Sequence, residues 1–131
     1  MTYIPAIVRG FIEAYIESLD TLRILLFLRG EAEKEWGPPA LGLALAMEVT
    51  RVDTALVALK RAGIVFDRIV AAELLYRYQP SGPAFTRAVD ELAASYSTDP
   101  AAVANLISTR AANIVRRYRE RIQTDERKGR R

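Results

Sequence analysis

Residues 49–65, VTRVDTALVALKRAGIV, constrain the fold more than any other part of this 131-residue chain. Thr50 is a favourable N-cap, and Asp53, three positions later, completes a variant of the capping box. Apolar residues recur at helical spacing along one side of the segment, namely Val52, Leu56 and Leu59. Gly63 is a typical C-terminal stop signal. The segment therefore predicts a short amphipathic helix that ends at a glycine and leads directly into a strand.

Two helices are predicted near the N-terminus from the same periodicity. The first begins at Pro5, whose missing N–H is harmless in a first turn, and ends near residues 18–20. The second is capped by Ser18 or Asp20 and ends at Gly30. Because apolar residues almost encircle the second helix, we expect it to lie at the centre of the domain.

The polar stretch EAEKEW follows, and we interpret it as a solvated connector. Its three glutamates at alternate positions resemble a metal-ligand set, but nothing nearby supplies a fourth ligand. Pro38 and Pro39 then open a third helix, predicted over residues 40–47, with Trp36 packed at its start.

A β-hairpin is predicted after Gly63. Residues 64–66 have the composition of a strand, and residues 74–79 alternate in a way that indicates a second strand. The length of the tip stays open, because RIV at residues 68–70 can extend the first strand.

Two further helices are predicted at the C-terminal end. They begin at Pro83 and near Pro100, each after a turn signal. The last helix is expected to end near Gln123, which leaves residues 124–131 as a basic tail.

The absence of cysteine and histidine limits the chemistry that this chain can perform. Disulfides, Cys/His metal sites, thiol nucleophiles and imidazole catalysis are all excluded. No glycine-rich phosphate loop or nucleophile elbow is present. We therefore expect a protein that is not an enzyme and that uses neither a metal nor another cofactor.

Charge is divided unevenly along the chain. Residues 1–109 contain ten Lys and Arg against thirteen Asp and Glu, a net −3, and residues 110–131 contain nine against three, a net +6. Acidic residues interrupt the N-terminal apolar pattern, and no apolar run is long enough to span a bilayer. A cytoplasmic protein that does not enter a membrane is the expectation.

Residues 18–80 resemble the winged helix-turn-helix domain of bacterial transcriptional regulators, including those of the MarR and ArsR type. The resemblance lies in the helices LDTLRILLFL and PPALGLALAM, the tight turn EVT, the helix RVDTALVALKRAG and the strand ELLYRYQP. It implies a mainly α fold with a small β-hairpin. The winged helix domain at 18–80 would then be flanked by an N-terminal helix within 1–17 and C-terminal helices within 81–123.

The resemblance also implies a DNA-binding function, with residues 51–62 as the recognition helix in the major groove of double-stranded DNA. If the roles of the recognition helix in winged helix regulators are transferred by position, Arg51 and Thr54 would lie near base edges, with Asp53 beside them. The phosphate partners would be Lys60, Arg61 and Arg68.

Several alternatives stay open at the level of sequence. Residues 51–77 carry only five basic against three acidic side chains, which also suits a winged helix protein-interaction module without DNA binding. The apolar stripes of the N- and C-terminal helices favour a homodimer that holds two recognition helices about one DNA turn apart. The arginines of residues 110–121 are either a solvated helix face or an arm that contacts phosphates. A small effector in a cleft between the winged domain and the outer helices is a further possibility, without named residues.

Overall fold

The computed structural model describes residues 3–129, with side chains through residue 122. The described chain is mainly helical and contains one antiparallel hairpin. In order, its elements are α1 (Ala6–Tyr15), α2 (Leu19–Gly30), α3 (Pro38–Leu45), α4 (Val49–Arg61), β1 (Val65–Val70), β2 (Glu73–Tyr78), α5 (Pro83–Thr98) and α6 (Pro100–Gly129).

Helix α2 lies at the centre of the fold, as its nearly continuous apolar surface predicts. Four of its side chains are fully buried: Leu22, Ile24, Leu25 and Leu28. Helix α4 packs against it with a face of four buried residues: Val52, Ala55, Leu56 and Leu59. The predicted inner face of α4 is confirmed, and its opposite face is left to solvent.

A tight turn joins α3 to α4. Ala46 adopts a left-handed conformation, with φ of 51°, and the Met47 N–H donates to the Gly42 carbonyl at 2.9 Å. A Cβ atom on Gly42 would lie 2.7 Å from the Met47 carbonyl oxygen, so only glycine fits this approach.

This turn corrects the predicted start of α4. Thr50 is not the N-cap; Glu48 occupies that position and makes no side-chain capping bond. Because the chain turns within two residues after Ala46, it is already helical at Val49, and Thr50 lies inside the first turn. The predicted C-terminal stop is confirmed: Gly63 has φ of 78°.

Other predicted boundaries also shift. The first helix ends at Tyr15 rather than near residues 18–20, because Ser18 caps α2 by accepting a hydrogen bond from the Thr21 N–H at 3.2 Å. Helix α3 begins at Pro38, earlier than predicted, since a proline is tolerated in the first turn. Helix α6 continues past Gln123 through residue 129.

The hairpin is longer and tighter than predicted. Strand β1 includes the RIV segment, and it pairs with β2 from Val65 opposite Tyr78 to Val70 opposite Glu73. Ala71 and Ala72 alone form the tip, with φ of 50° and 66°. Positive φ at both positions is the conformation that matches the twist of paired strands.

A single residue extends this sheet on the β2 side. Trp36 and Tyr76 exchange two backbone hydrogen bonds, each of 2.8 Å, in an antiparallel bridge. The indole ring of Trp36 also packs edge-on against Phe27, with ring centroids 4.9 Å apart. The connector between α2 and α3 is therefore part of the sheet, which the sequence did not predict.

Helices α1, α5 and α6 pack together beside this core. Their buried contacts include Phe11, Val89, Leu92, Val103 and Ile107. Arg110 Nε of α6 donates a 2.7 Å hydrogen bond to the Glu13 carbonyl oxygen, and Asn113 lines a small groove together with residues of α1. Residues 114–122 of α6 are exposed.

The hairpin tip generates a prediction about stability. A left-handed conformation costs an alanine about 1–2 kcal/mol and costs glycine almost nothing. We therefore expect Ala72→Gly to raise the free energy of unfolding by about 1 kcal/mol, measured by urea denaturation. Ala94→Gly, at an exposed position within α5, is the matched control and should lower it by about 1 kcal/mol. A decrease in the free energy of unfolding in both variants would contradict the left-handed turn at Ala71 and Ala72.

Candidate nucleic-acid interface

The outer face of α4 is the surface that the sequence assigned to DNA. Since the apolar face is buried against α2, the polar residues of the other side are exposed: Arg51, Asp53, Thr54, Lys60 and Arg61. Val57 lies among them and is also exposed. The local amphipathic pattern therefore exposes four of the five predicted site residues: Thr54 and Arg61 lie near the middle of the solvent-facing side, with Arg51 and Lys60 on its opposite flanks.

Arg51 is held by a carboxylate from α2. Its Nε donates to Asp20 Oδ2 at 2.8 Å and its Nη2 donates to Asp20 Oδ1, so the pair is bidentate. The Arg51 side chain stays 52% exposed, whereas that of Asp20 is 23% exposed. The hydrogen bond from Arg51 lowers the pKa of the Asp20 carboxyl, against a smaller opposing effect of burial.

The other two paired cations lie near the hairpin. Lys60 Nζ lies 2.7 Å from Asp67 Oδ2, which ties the end of α4 to β1. Arg68 of β1 forms a second bidentate pair, with its Nε 2.6 Å from Glu35 Oε2 and its Nη2 on Oε1. The hydrogen bond from Arg68 lowers the pKa of Glu35, and the hydrogen bond to Asp67 raises the pKa of Lys60.

Thr54 and Arg61 are arranged differently. The Thr54 hydroxyl donates to the Thr50 carbonyl at 3.0 Å, within the helix. Arg61 forms none of the ion pairs found between described residues. Both residues line a shallow groove of about 340 Å³ that also includes Glu17 and Asp53. Arg61 is thus the one candidate phosphate contact that carries an unpaired charge.

The carboxylates that hold the candidate cations were missed by the sequence reasoning. Asp20 is separated from Arg51 by 31 positions, and Glu35 from Arg68 by 33. Periodicity relates residues one or two turns apart, so no sequence signal connects these pairs. Their effect is large for the proposed interface, because three of its four cations are already compensated.

An apolar groove of about 790 Å³ lies beside the hairpin. Apolar side chains from the connector, the start of α3 and β2 line it: Trp36, Pro38, Pro39, Leu74 and Leu75. A smaller groove of about 310 Å³ lies between α1 and α5, lined by Ile7, Phe11, Tyr15 and Phe85. Neither of these grooves is a cleft between the hairpin region and the outer helices.

Two of the three glutamates of the connector are engaged in ion pairs. Glu31 lies 3.3 Å from Lys34, and Glu35 is held by Arg68. Within the described part of the chain, no cluster of three or more potential ligands can hold a metal ion. None of the helices described there combines the length and apolar character that a bilayer crossing requires.

Comparisons with known proteins give no match to a family model, a curated protein or a solved structure. The resemblance of residues 18–80 to winged helix regulators therefore stays a prediction. The exposed face of α4 and its ion pairs carry the functional argument.

The Arg51–Asp20 pair generates a prediction about pH. A carboxyl group whose pKa is lowered in the folded state contributes stability that is complete above its unfolded pKa of about 4 and disappears as pH falls through the lower folded value. We expect the melting temperature of the wild type to drop more steeply on acidification through that window than that of Asp20→Asn. Asp53→Asn, which removes an exposed carboxylate without an ion pair, is the control. If the melting temperatures of the wild type and Asp20→Asn fall equally steeply with pH, this prediction is contradicted.

Proposed function

We propose that this chain is a winged helix-turn-helix transcriptional regulator that binds double-stranded DNA as a homodimer and has no enzymatic activity. Such a protein would act in the cytoplasm of a bacterial cell. The observation that carries the proposal is the exposed polar face of α4, which follows a tight turn from α3 and precedes a hairpin.

The order of the elements supports this proposal. A winged helix consists of three helices and a small sheet, and residues 18–80 supply α2, α3, α4 and the β1–β2 hairpin. The backbone bridge between Trp36 and Tyr76 adds one residue of the connector, just before α3, to the edge of this hairpin. This order of elements supports the interpretation of α4 as the second helix of a helix-turn-helix, which is the position of a recognition helix.

The geometry of Arg51 suits base recognition. It is the third residue of α4, and the N-terminal residues of a recognition helix contact base edges. The pair with Asp20 uses Nε and one Nη2 hydrogen, so the hydrogens of Nη1 and the second hydrogen of Nη2 stay available. Two such donors match guanine O6 and N7, and the Thr54 methyl group can contact thymine. Asp20 therefore orients the guanidinium group without covering its outer edge.

The remaining cations suit phosphate contacts of modest strength. Arg61 is unpaired, while Lys60 and Arg68 keep more than half of their side-chain surface exposed. Because this much of each cation is exposed, a phosphate can contact Lys60 or Arg68 while its ion pair stays in place. The compensating carboxylates nevertheless reduce the sequence-independent attraction to DNA from this surface.

A homodimer is supported by apolar surfaces that one chain leaves uncovered. Helix α6 continues its buried stripe with exposed Ile114, Val115, Tyr118 and Ile122, of which Tyr118 is 65% exposed. The groove between α1 and α5 is a second open apolar surface. A two-fold arrangement buries each surface against the other chain and can place two α4 helices about 34 Å apart, one turn of DNA.

A second candidate function is a protein-docking module built on the same winged helix. Two observations favour it: the compensated charges around α4 and the large apolar groove lined by Trp36 and Leu75. Exposed apolar surface of this kind often marks a protein contact.

Duplex binding is the direct test of the first candidate. The full-length protein is used to select a preferred site from random duplexes, and affinities for that site and for random DNA are measured by fluorescence anisotropy. Arg51→Ala should weaken the selected site by about 5- to 150-fold, equivalent to 1–3 kcal/mol, with a smaller effect on random DNA. Arg61→Ala should weaken both alike. Asp20→Asn should strengthen binding to random DNA and reduce the preference for the selected site.

Arg87→Ala on the exposed side of α5 is the control for loss of one positive charge and should leave the site preference unchanged. If neither the wild type nor Asp20→Asn binds any duplex at low salt, the DNA proposal is wrong and the docking module is the better description.

Dimer formation is tested by sedimentation equilibrium. Tyr118→Glu places a charge within the exposed stripe of α6, and we expect it to weaken self-association at least tenfold, since burying an unpaired carboxylate is costly. Ala112→Glu is the matched control, because it lies about 120° away around the same helix. Equal behaviour of the two variants would show that this stripe is not the interface.

A further inference from the structure

Helix α6 projects from the body of the protein beyond Asn113, the last of its residues that lines a groove with α1. Residues 111–122 are all exposed except Asn113, which is partly buried. This projecting part contains four arginines, Arg116, Arg117, Arg119 and Arg121, and a single acidic residue, Glu120. We call these four residues the α6 arginine cluster.

The α6 arginine cluster differs from the cations of α4 and the hairpin in its electrostatic state. Arg51, Lys60 and Arg68 are each compensated by a carboxylate from another element or strand. None of the ion pairs between described residues joins the α6 arginine cluster to another element of the fold. The contact found for Arg116 is a 3.2 Å hydrogen bond from its Nη2 to Asn113 Oδ1 on the same helix. Residues 111–122 of α6 therefore carry four arginines against one carboxylate, a larger excess of positive charge than the cations around α4 retain.

We infer that the α6 arginine cluster is a second nucleic-acid contact, which binds the phosphate backbone without reading sequence. This inference rests on the proposed duplex binding but does not depend on which residues of α4 contact bases. According to this inference, α4 supplies the preference for a DNA sequence, and α6 supplies much of the salt-dependent affinity for DNA.

The helical positions of the arginines favour a polyanion over a second copy of α6. At 100° per residue, Arg117 and Arg119 lie about 100° to either side of Tyr118, and Arg116 lies about 160° from it. Arg116 and Arg117 thus stay outside a dimer contact made through the apolar stripe, and Arg119 lies at its margin, about 40° from Val115. Packing the cluster of one chain against that of another would bring like charges together.

The chemistry of arginine also favours a polyanionic partner. A guanidinium group carries five N–H donors in a planar fork that matches phosphate oxygens bidentately. Several such groups within two turns of one exposed helix fit a partner with closely spaced negative charges, which is a property of a nucleic-acid backbone. Each phosphate that is neutralised releases bound counterions, so the contact must weaken as salt is raised.

The test uses the full-length protein and the triple variant Arg116→Gln, Arg117→Gln and Arg119→Gln. Glutamine has nearly the helix propensity of arginine, so α6 is preserved. Affinity for a fluorescent random-sequence duplex is measured over a series of salt concentrations. We expect weaker binding and a decrease in the slope of log affinity against log salt of up to about 0.9 for each arginine removed. The preference for a selected site over random DNA should stay unchanged.

Arg87→Gln on α5 is the control for a generic loss of charge, and its salt slope should match the wild type more closely than that of Arg117→Gln. An unchanged slope in the triple variant overturns the inference. A triple variant that becomes monomeric in sedimentation equilibrium, or that loses binding only to anionic vesicles, also overturns it, since the cluster would then bind a second copy or lipid.

The inference and the proposed function fail in distinguishable ways. If Arg51→Ala changes site preference while the triple variant binds like the wild type, the α6 contact is wrong and the α4 proposal stands. If the triple variant loses binding to random DNA while Arg51→Ala and Arg61→Ala have no effect, the α6 contact stands and α4 is not the reading helix.

Discussion

The packing of α4 on α2 controls what this protein presents to a partner. Val52, Leu56 and Leu59 are fully buried against the apolar surface of the central helix. Removing them from water stabilises the fold, and turning α4 about its axis would expose them. The polar side of the same helix therefore has one available orientation, toward solvent. The tight turn at Gly42 holds α4 at this position by joining it closely to α3.

The ion pairs around α4 then set the electrostatic character of the exposed surface. Each of them links different parts of the fold: α4 to α2 through Asp20, α4 to β1 through Asp67, and β1 to the connector through Glu35. They restrict the motion of the cations and lower the net charge of this surface. In contrast, residues 111–122 of α6 carry four arginines and a single carboxylate, that of Glu120. The surface of α4, with oriented but mostly compensated cations, suits discrimination between DNA sequences. The strongly basic α6 suits affinity for the phosphate backbone.

Local signals in the sequence predicted many of the elements and fewer of their boundaries. The Ser18 cap, the Gly63 stop and the alternation of β2 depend on residues a few positions apart, so they were readable. The predicted cap at Thr50 was wrong because Ala46 adopts a left-handed conformation that strongly favours glycine, and nothing in the local sequence indicates it. The single backbone bridge of Trp36 to Tyr76 was missed because one residue pair has no periodicity.

The sequence by itself determined which chemistry is excluded, by the absence of cysteine and histidine, and which side of α4 is buried, by the helical spacing of its apolar residues. Only the tertiary structure decided which charges of the candidate site are compensated. Arg51 and Arg68 are paired with Asp20 and Glu35, which are distant in the chain and meet only after α2, the connector and the hairpin have packed. Helical periodicity reports on neighbours within a few turns, whereas charge compensation depends on distance in space.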